Sequence, residues 1–425
     1  MTALGRSAAA FAPAPPSARV VLALLARLRR GRLDVRLPGG ETLRAGGDGA
    51  GPRASITLRN WRPCIAALRS GDVGFAESYV DGDWTTPDLP ALLTLLTANR
   101  ADVEAIVYGR WWGSLAHRMR HLLRRNSKRG ARRNVHAHYD LGNDFYHLWL
   151  DPTMSYSGAW FAGDPGADLA GAQRAKMRRA LLACAVRSGD RVLELGCGWG
   201  ALAQLAAEEF GARVTGVTLS REQLAWAGRR LDDAGIAAEL RLQDYREIDD
   251  GPYDAVVSIE MFEAVGRRWW PAFFAAVRKA LKPGGKACIQ TITIRDDLFE
   301  RYVRSTDFIQ QYVFPGGLLP SPSAFRAAAA AAELEVVDEL AFGADYAETV
   351  RRWRTRFVAA EAAVRALGFD TAFVRIWNFY LAYCEAAFAT GNTAVVQFTL
   401  RRRQVGPCRR ASQALSEASP CGESR

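Results

Sequence analysis

The stretch Val192-Leu193-Glu194-Leu195-Gly196-Cys197-Gly198-Trp199-Gly200 constrains this chain more than any other. An apolar run, Arg191–Leu195, reads as a buried parallel strand. It ends in three alternating glycines and passes into a helical run, Ala201–Phe210. Glycine tolerates positive φ and lets a ligand approach the backbone, and a helix start offers unpaired N–H groups. Strand, glycine loop and helix at the head of an alternating β/α region point to an adenosine-containing cofactor. The spacing narrows the choice. A dinucleotide fingerprint wants G-x-G-x-x-G and an acid about twenty residues further on. Here the spacing is G-x-G-x-G, and the next strand, Ala212–Val217, ends in Thr218-Leu219-Ser220. The carboxylate, Glu194, precedes the glycines instead. That pattern suits S-adenosylmethionine, which has no pyrophosphate and needs a partner for its amino-acid end. A nicotinamide site and a merely structural turn are the alternatives.

Around this stretch, strand patterns at Arg191–Leu195, Ala212–Val217, Ala238–Leu242, Tyr253–Ile259 and Lys286–Ile294 alternate with helical runs at Ala201–Phe210, Arg221–Ala234 and Glu263–Leu281. The alternation predicts an α/β, Rossmann-like domain over 134–402, with a mostly parallel sheet and helices on both faces. Further helical runs are expected at Tyr346–Leu367 and Ala372–Phe388, and closing strands at Leu334–Ala341 and Ala394–Arg401. With 425 residues the chain has room for a second domain. Residues 33–108 read as a small α+β domain, ending in a helix that starts at Asp88 with Pro90 in its first turn. Residues 1–32, Ala- and Pro-rich at the start, are expected to be flexible, with a pattern over Val20–Arg32 that fits a short amphipathic helix. Residues 403–425 read as a disordered tail.

Apolar residues make up 49% and charged residues 24% of the chain, which excludes global disorder. The seven cysteines are scattered without a C-x-x-C pair, against a disulfide framework or structural zinc. No run approaches the ~18 apolar residues needed to span a bilayer, so a cytoplasmic protein is expected. The formal charge of +11 fits an anionic partner. Much of the charge lies in 109–133, where nine Arg/Lys alternate with Trp111, Trp112, Leu115, Met119, Leu122 and Leu123. This segment reads either as an interfacial helix on a membrane surface or as a solvated linker. No nucleic-acid module accompanies it, so nucleic acid is not expected. His136 and His138 lack an evident third ligand, so no metal is expected.

Ligands of open α/β sheets sit at the carboxyl ends of the strands, here Gly196–Gly200, Thr218–Gln223, Gln243–Tyr245 and Ile259–Glu263. Asp244 is a candidate acceptor for an adenine amino group and Tyr245 a flanking ring; for Asp244 a plain turn role is the alternative.

Several further runs carry a resemblance. They are His138-Tyr139-Asp140-Leu141-Gly142-Asn143-Asp144-Phe145-Tyr146, Met154-Ser155-Tyr156-Ser157, Gly216–Ser220, Met261-Phe262-Glu263, Phe314-Pro315-Gly316-Gly317, Tyr346-Ala347-Glu348-Thr349 and Tyr383–Phe388 with Gln397. In this order the chain resembles the cyclopropane-fatty-acyl-phospholipid and mycolic acid cyclopropane synthases, class I S-adenosylmethionine-dependent methyltransferases. The segment 33–108 looks like the lipid-engaging domain of the longer bacterial members. The resemblance implies attack of a cis double bond of a membrane phospholipid acyl chain on the donor methyl. Bicarbonate then removes a proton and a cyclopropane closes. It implies cofactor contacts at Tyr156, Ser157, Gly196, Gly198, Thr218, Leu219, Gln223, Asp244 and Tyr245, to which the loop itself adds Glu194 and Gly200. It implies bicarbonate contacts at Glu263, the Ile292 backbone and Tyr346. A cation in a dry pocket needs aromatic faces, and Trp and Tyr are plentiful at 139–161 and 377–383. The setting implied is the inner face of the membrane, with peripheral association; a homodimer stays an open expectation.

The chain departs from the family in one place. The familiar Tyr-Ser-Cys-Ala reads Tyr156-Ser157-Gly158-Ala159, the familiar His-Thr-Ile reads Gln290-Thr291-Ile292, and the His after Phe-Glu is Ala264. Gln290 donates a hydrogen bond but carries no proton at neutral pH. The methyl-transfer half of the reaction is therefore expected to be intact and the deprotonation half altered. A methyl- or methylene-branched acyl chain is the alternative to the ring, and a small soluble acceptor a further one.

Overall fold

The computed structural model describes residues 14–47, 51–100, 141–164 and 166–403. The basic segment expected over 109–133, the tail beyond Arg403, His136, His138 and the start of the His138–Tyr146 run lie outside the described residues.

The first unit contains a helix Pro16–Leu25, strands β1 (Arg32–Arg36), β2 (Thr42–Gly46) and β3 (Arg53–Leu58), a helix Arg62–Val80, a short β4 (Trp84–Thr85) and a helix Leu89–Ala98. The strands lie in the order β2-β1-β3-β4, with β1 and β3 parallel. Period-two alternation sets β1, where Leu33 and Val35 are buried while Arg36 faces out. The last helix starts as predicted: the Asp88 carboxylate accepts from the Ala91 N–H at 3.0 Å, with proline in the first turn. Part of the span expected to be flexible is instead helical. Pro16–Leu25 buries Ala18 and Leu22 completely, because its apolar face covers the small sheet's core.

The second unit is the predicted α/β domain. Its seven strands are β5 (Arg191–Leu195), β6 (Arg213–Thr218), β7 (Glu239–Leu242), β8 (Tyr253–Ile259), β9 (Leu281–Ile294), β10 (Leu334–Ala341) and β11 (Thr393–Arg402), in the order β10-β11-β9-β8-β5-β6-β7. Neighbours from β7 across to β9 are parallel, and β11 runs antiparallel to β9 and β10. The chain leaves β5 toward β6 and β7, then returns to place β8 on the other side of β5. That reversal opens a crevice above β5 and β8, where ligands of such sheets bind. One core packs the helices Leu169–Ala183 and Ala201–Phe210 on one face. Another packs Trp270–Ala280 and Pro322–Ala331 on the other.

Two expected helices differ from their predicted bounds. Glu263–Leu281 resolves into two 3₁₀ turns followed by the helix Trp270–Ala280, because Gly266 at φ 78° breaks the run. Tyr346–Leu367 divides at Ala360 into Gly343–Ala359 and Glu361–Ala366. With the helix Thr371–Ala389, Gly343–Ala359 forms a cap whose aromatic core is continuous with that of the first unit.

Candidate active site

The glycine loop is built as its sequence requires. Gly196, Gly198 and Gly200 have φ of 81°, 50° and 84°, and the N–H groups of Gly196 and Cys197 donate to the Val217 carbonyl at 2.9 and 3.0 Å. The loop thus hangs between β5 and β6 over a cavity of about 180 Å³. Tyr156, Ser157, Glu194, Gly196, Gly198, Thr218, Leu219, Gln223, Asp244 and Tyr245, from four separate chain segments, all line it. Gly200 does not. It is the left-handed N-cap residue of Ala201–Phe210, and a Cβ there would sit 3.0 Å from the Cβ of Ala227. Its role is the turn beneath the loop, because the close approach it permits is to a neighbouring helix and not to a ligand.

Glu194 is 3% exposed. Burial pushes its carboxyl well above the usual range, with only the Ala203 backbone bond opposing, and its Oε2 has no partner among the described residues. A buried carboxylate oxygen left without a donor fits the ammonium of the cofactor's amino-acid end. The Thr218 hydroxyl donates to Gln223 Oε1 at 3.0 Å, fixing both at the end of β6. Asp244 faces the same cavity, but Arg246 grips both its oxygens, at 2.8 and 2.6 Å. Tyr245 packs edge-on to Phe273 at 5.5 Å.

A second cavity, of about 380 Å³, is predominantly apolar and shares Tyr156, Glu260 and Ala264 with the first. Its far walls come from the first unit: Leu22 of the N-terminal helix, Leu33 and Val35 of β1, Ile56 and Leu58 of β3, and Leu92 of the helix Leu89–Ala98. Near the junction it is ringed by Tyr156, Phe314, Tyr346, Trp353, Tyr380 and Phe388. Of the aromatic clusters expected to serve a cation, Tyr156 and Tyr380 reach this wall, bonded hydroxyl to hydroxyl at 2.8 Å. Trp149 and Trp377 are buried behind it.

The residues singled out for the deprotonation half of the reaction divide into two groups. Glu263, Ile292 and Tyr346 line the apolar cavity. Glu263 Oε1 accepts from the Ile292 N–H, and its Oε2 has no partner among the described residues. Burial, and next the charge of Glu260, push its carboxyl up to about 8. Gly158 and Gln290 do not face the cavity. The Gly158 N–H donates to Glu260 Oε1 at 2.9 Å, Gln290 Nε2 donates to the same oxygen at 2.8 Å, and the Tyr346 hydroxyl donates to Glu260 Oε2 at 2.6 Å. Tyr346 and the two positions that depart from the family's bicarbonate site therefore converge on a side chain of the protein. The cysteine of the family pattern has no room here: a Cβ on Gly158 would lie 2.8 Å from two ring carbons of Tyr346.

The orientation of Gln290 is determined from a distance. Arg179, which can only donate, donates to Gln397 Oε1 at 2.9 Å. Gln397 therefore turns its amide N–H toward Gln290 Oε1, at 3.0 Å, and Gln290 turns its own toward Glu260. Lys176, completely buried in the helix Leu169–Ala183, bonds to the Ser157 hydroxyl. Burial pulls its ammonium down to about 8, with Glu260 and Asp151 opposing. For Glu260 burial raises the carboxyl, while Lys176, Tyr346, Gln290 and Gly158 pull it back. The two N–H donors on Oε1 and the charge of Lys176 favour the carboxylate form of Glu260 against a net upward push from burial, while the nearby Glu263, pushed up to about 8, favours its neutral form.

Glu260 and Lys176 were not singled out by the sequence. Each left a signal. Glu260 stands just past the apolar strand β8, three residues before a second carboxylate. Lys176 follows Gln173 by one helical turn on the otherwise apolar buried face of its helix.

Sheet order, glycine loop, acid-terminated first strand and cavity define an S-adenosylmethionine-dependent methyltransferase, with S-adenosylmethionine its cofactor. The family described as mycolic acid cyclopropane synthetase matches residues 126–398. The tuberculostearic acid methyltransferase UfaA1 of Mycobacterium tuberculosis is 41% identical over 83% of this chain and 84% of its own length. The cyclopropane-fatty-acyl-phospholipid synthase of Escherichia coli is 35% identical over 84% of this chain and 89% of its own. The crystal structure of the mycolic acid cyclopropane synthase CmaA1 with SAH and CTAB superposes with a TM-score of 0.60 at 32% identity, covering 64% of this chain and 98% of that one. The chain belongs to the mycolic acid cyclopropane synthase family.

Proposed function

We propose that this chain transfers the methyl group of S-adenosylmethionine to a cis double bond in an unsaturated acyl chain of a membrane phospholipid, and that the product is a methylene-branched acyl chain. The observation that carries the reading is the junction of the two cavities at Tyr156, Glu260 and Ala264. There a long apolar tail lying in one cavity meets a methyl donor held in the other. The acyl π pair becomes the new C–C bond to the methyl carbon while the C–S pair leaves with the sulfur. The cation left on the acyl chain faces Tyr156, Tyr346, Trp353 and Tyr380. Shift of the neighbouring hydride moves the charge to the more substituted, methyl-bearing carbon, and loss of a methyl proton leaves an exocyclic C=C. A saturated branch would need a hydride donor in addition.

The relative named as a tuberculostearic acid methyltransferase supports a branch. A second reading, ring closure of the same cation before the hydride moves, is favoured by the relative named as a cyclopropane-fatty-acyl-phospholipid synthase. A small polar acceptor fits the apolar cavity poorly. The substrate would be drawn from a bilayer by peripheral association. No helix among the described residues is long and apolar enough to cross a membrane. The test is incubation with liposomes of cis-monounsaturated or fully saturated phospholipid, reading S-adenosylhomocysteine release and the proton NMR spectrum of the acyl chains. Vinylidene signals from unsaturated liposomes alone are expected. High-field cyclopropane signals would replace the branched product with the ring, and turnover on saturated liposomes would exclude the double bond as acceptor.

A further inference from the structure

The Glu260 backbone lies in the left-handed region, at φ 51°, a conformation that costs a non-glycine residue about 1–2 kcal/mol. Its carboxylate is half-buried at the wall shared by the two cavities, and the loss of solvent raises it, a second cost for a charged group. Strained backbone and desolvated charge persist together only where the surroundings over-determine them, and such outliers cluster at functional sites. Here the surroundings are specific. Oε1 receives Gly158 and Gln290 and Oε2 receives Tyr346. Of these, Gly158 and Gln290 occupy two of the three positions where the chain departs from its family, and at Gly158 any Cβ would strike the Tyr346 ring.

We infer that Glu260 is the proton acceptor of the reaction, a carboxylate built into the chain at the place where the family pattern leads one to expect a bound bicarbonate. This rests on the acyl methyl-transfer reading above and names the group that completes it. Glu260 Oε2, the oxygen bonded to the cavity-lining Tyr346, takes the proton from the new methyl group. The C–H pair becomes the C–C π bond, and the Tyr346 hydroxyl turns from donor to acceptor. Oε1 keeps both N–H donors throughout, so the carboxyl is held still while its charge changes. The proton is released as product leaves. Neither oxidant nor reductant is needed. A carboxylate tethered at the end of β8 cannot follow the methyl group as a small anion can, which gives the hydride shift time to precede deprotonation.

Wild-type protein, Glu260→Gln and Glu260→Gly are compared on oleoyl-phospholipid liposomes in decarbonated buffer, with and without added bicarbonate. Glycine relieves the left-handed strain, so Glu260→Gly should fold, and S-adenosylmethionine affinity by calorimetry checks both variants. The expected wild-type rate is the same in both buffers. Glu260→Gln should lose about 100-fold or more in kcat, the range for a removed general base. Glu260→Gly should be equally slow and should recover about tenfold or more on adding bicarbonate to the vacated space. A wild-type rate falling about tenfold without bicarbonate overturns the inference while leaving the methyl-transfer reading standing. So does a cofactor-binding Glu260→Gly that bicarbonate fails to restore. Absence of S-adenosylhomocysteine release by wild type in either buffer removes the methyl-transfer reading, and the inference with it.

Discussion

Gly158→Ala is the smallest change that tests how tightly this centre is assembled. The added Cβ would lie 2.8 Å from Cγ and Cδ1 of Tyr346 and 3.2 Å from Cδ2, well inside contact distance. The ring cannot withdraw freely, because its other face stacks on Phe388 at 4.2 Å and its edge meets Trp353 at 6.1 Å. Overpacking of this kind costs about 1–3 kcal/mol. The Tyr346 hydroxyl, 2.6 Å from Glu260, is the part most readily displaced, and a hydrogen bond to a charged group contributes ~1.5–3 kcal/mol. If that bond is needed while charge develops, its loss lowers kcat by roughly 10–100-fold. Thermal unfolding and S-adenosylhomocysteine release on unsaturated liposomes read the two effects separately. Phe388→Leu opens space behind the ring, so the double variant should be less destabilised than the two single effects summed, by about 1 kcal/mol. A Gly158→Ala protein with unchanged melting and turnover, or a strictly additive double variant, would refute the packing argument.

Three other outcomes follow from the same geometry. Glu263, pushed up to about 8 from 4.5 by burial and by Glu260, holds its proton more tightly folded than unfolded. Its contribution to stability is complete below about pH 4.5 and lost as pH rises through 8, at up to ~1.4 kcal/mol per unit. Glu263→Gln should therefore gain in melting temperature relative to wild type between pH 5 and 8, with no further gain above; a constant difference would contradict the assignment. Glu194, whose carboxyl burial pushes well above the usual range, should give up its proton more readily when the cofactor's ammonium arrives. Calorimetry in buffers of differing ionisation enthalpy should show proton release for wild type and little for Glu194→Gln, and equal release from both would remove Glu194 from that role. Ala67→Trp places a large ring in the apolar cavity that Ala67 lines. Turnover on long-chain phospholipid should fall about tenfold or more while S-adenosylmethionine binding is unchanged, and unchanged turnover would place the acyl tail elsewhere.

Much of the cofactor half was legible because its signals are local. A strand, a turn and a helix cap each occupy a few consecutive residues, so β5, β8 and Ala201–Phe210 fall at their predicted bounds, and positive φ at Gly196 and Gly198 follows from the glycine spacing. Gly200 was misread because the same residue serves a ligand approach and a helix approach equally well. The deprotonation half was harder. Gly158, Gln290 and Tyr346 each point to an anion, but nothing local shows that a carboxylate 102 residues from Gly158 fills the space between them. Lys176, and the part Gln397 plays beyond its place in the family pattern, were hidden for the same reason, since their meaning depends on which side chains the sheet and its cap bring face to face. The start of the helix Pro16–Leu25, ahead of the pattern at Val20–Arg32, was obscured by its Ala-Pro surroundings; its burial is decided by a sheet that forms later in the chain.

A carboxamide is nearly symmetric in shape and opposite in charge at its two ends, so two in series can be threaded in either direction at almost equal steric cost. In this protein the direction is set at the far end, where Arg179 lies between Gln397 and Asp338 near the outer strand β10. An acceptor in place of that guanidinium would reverse both amides and present Gln290 Oε1 to Glu260. Two facing oxygens tolerate each other only with a proton between them, so the charge on that carboxylate would be lost although no residue touching it had changed. The ionisation of the catalytic centre is thus written into the polarity of a chain of neutral groups, and it is read from the edge of the sheet inward.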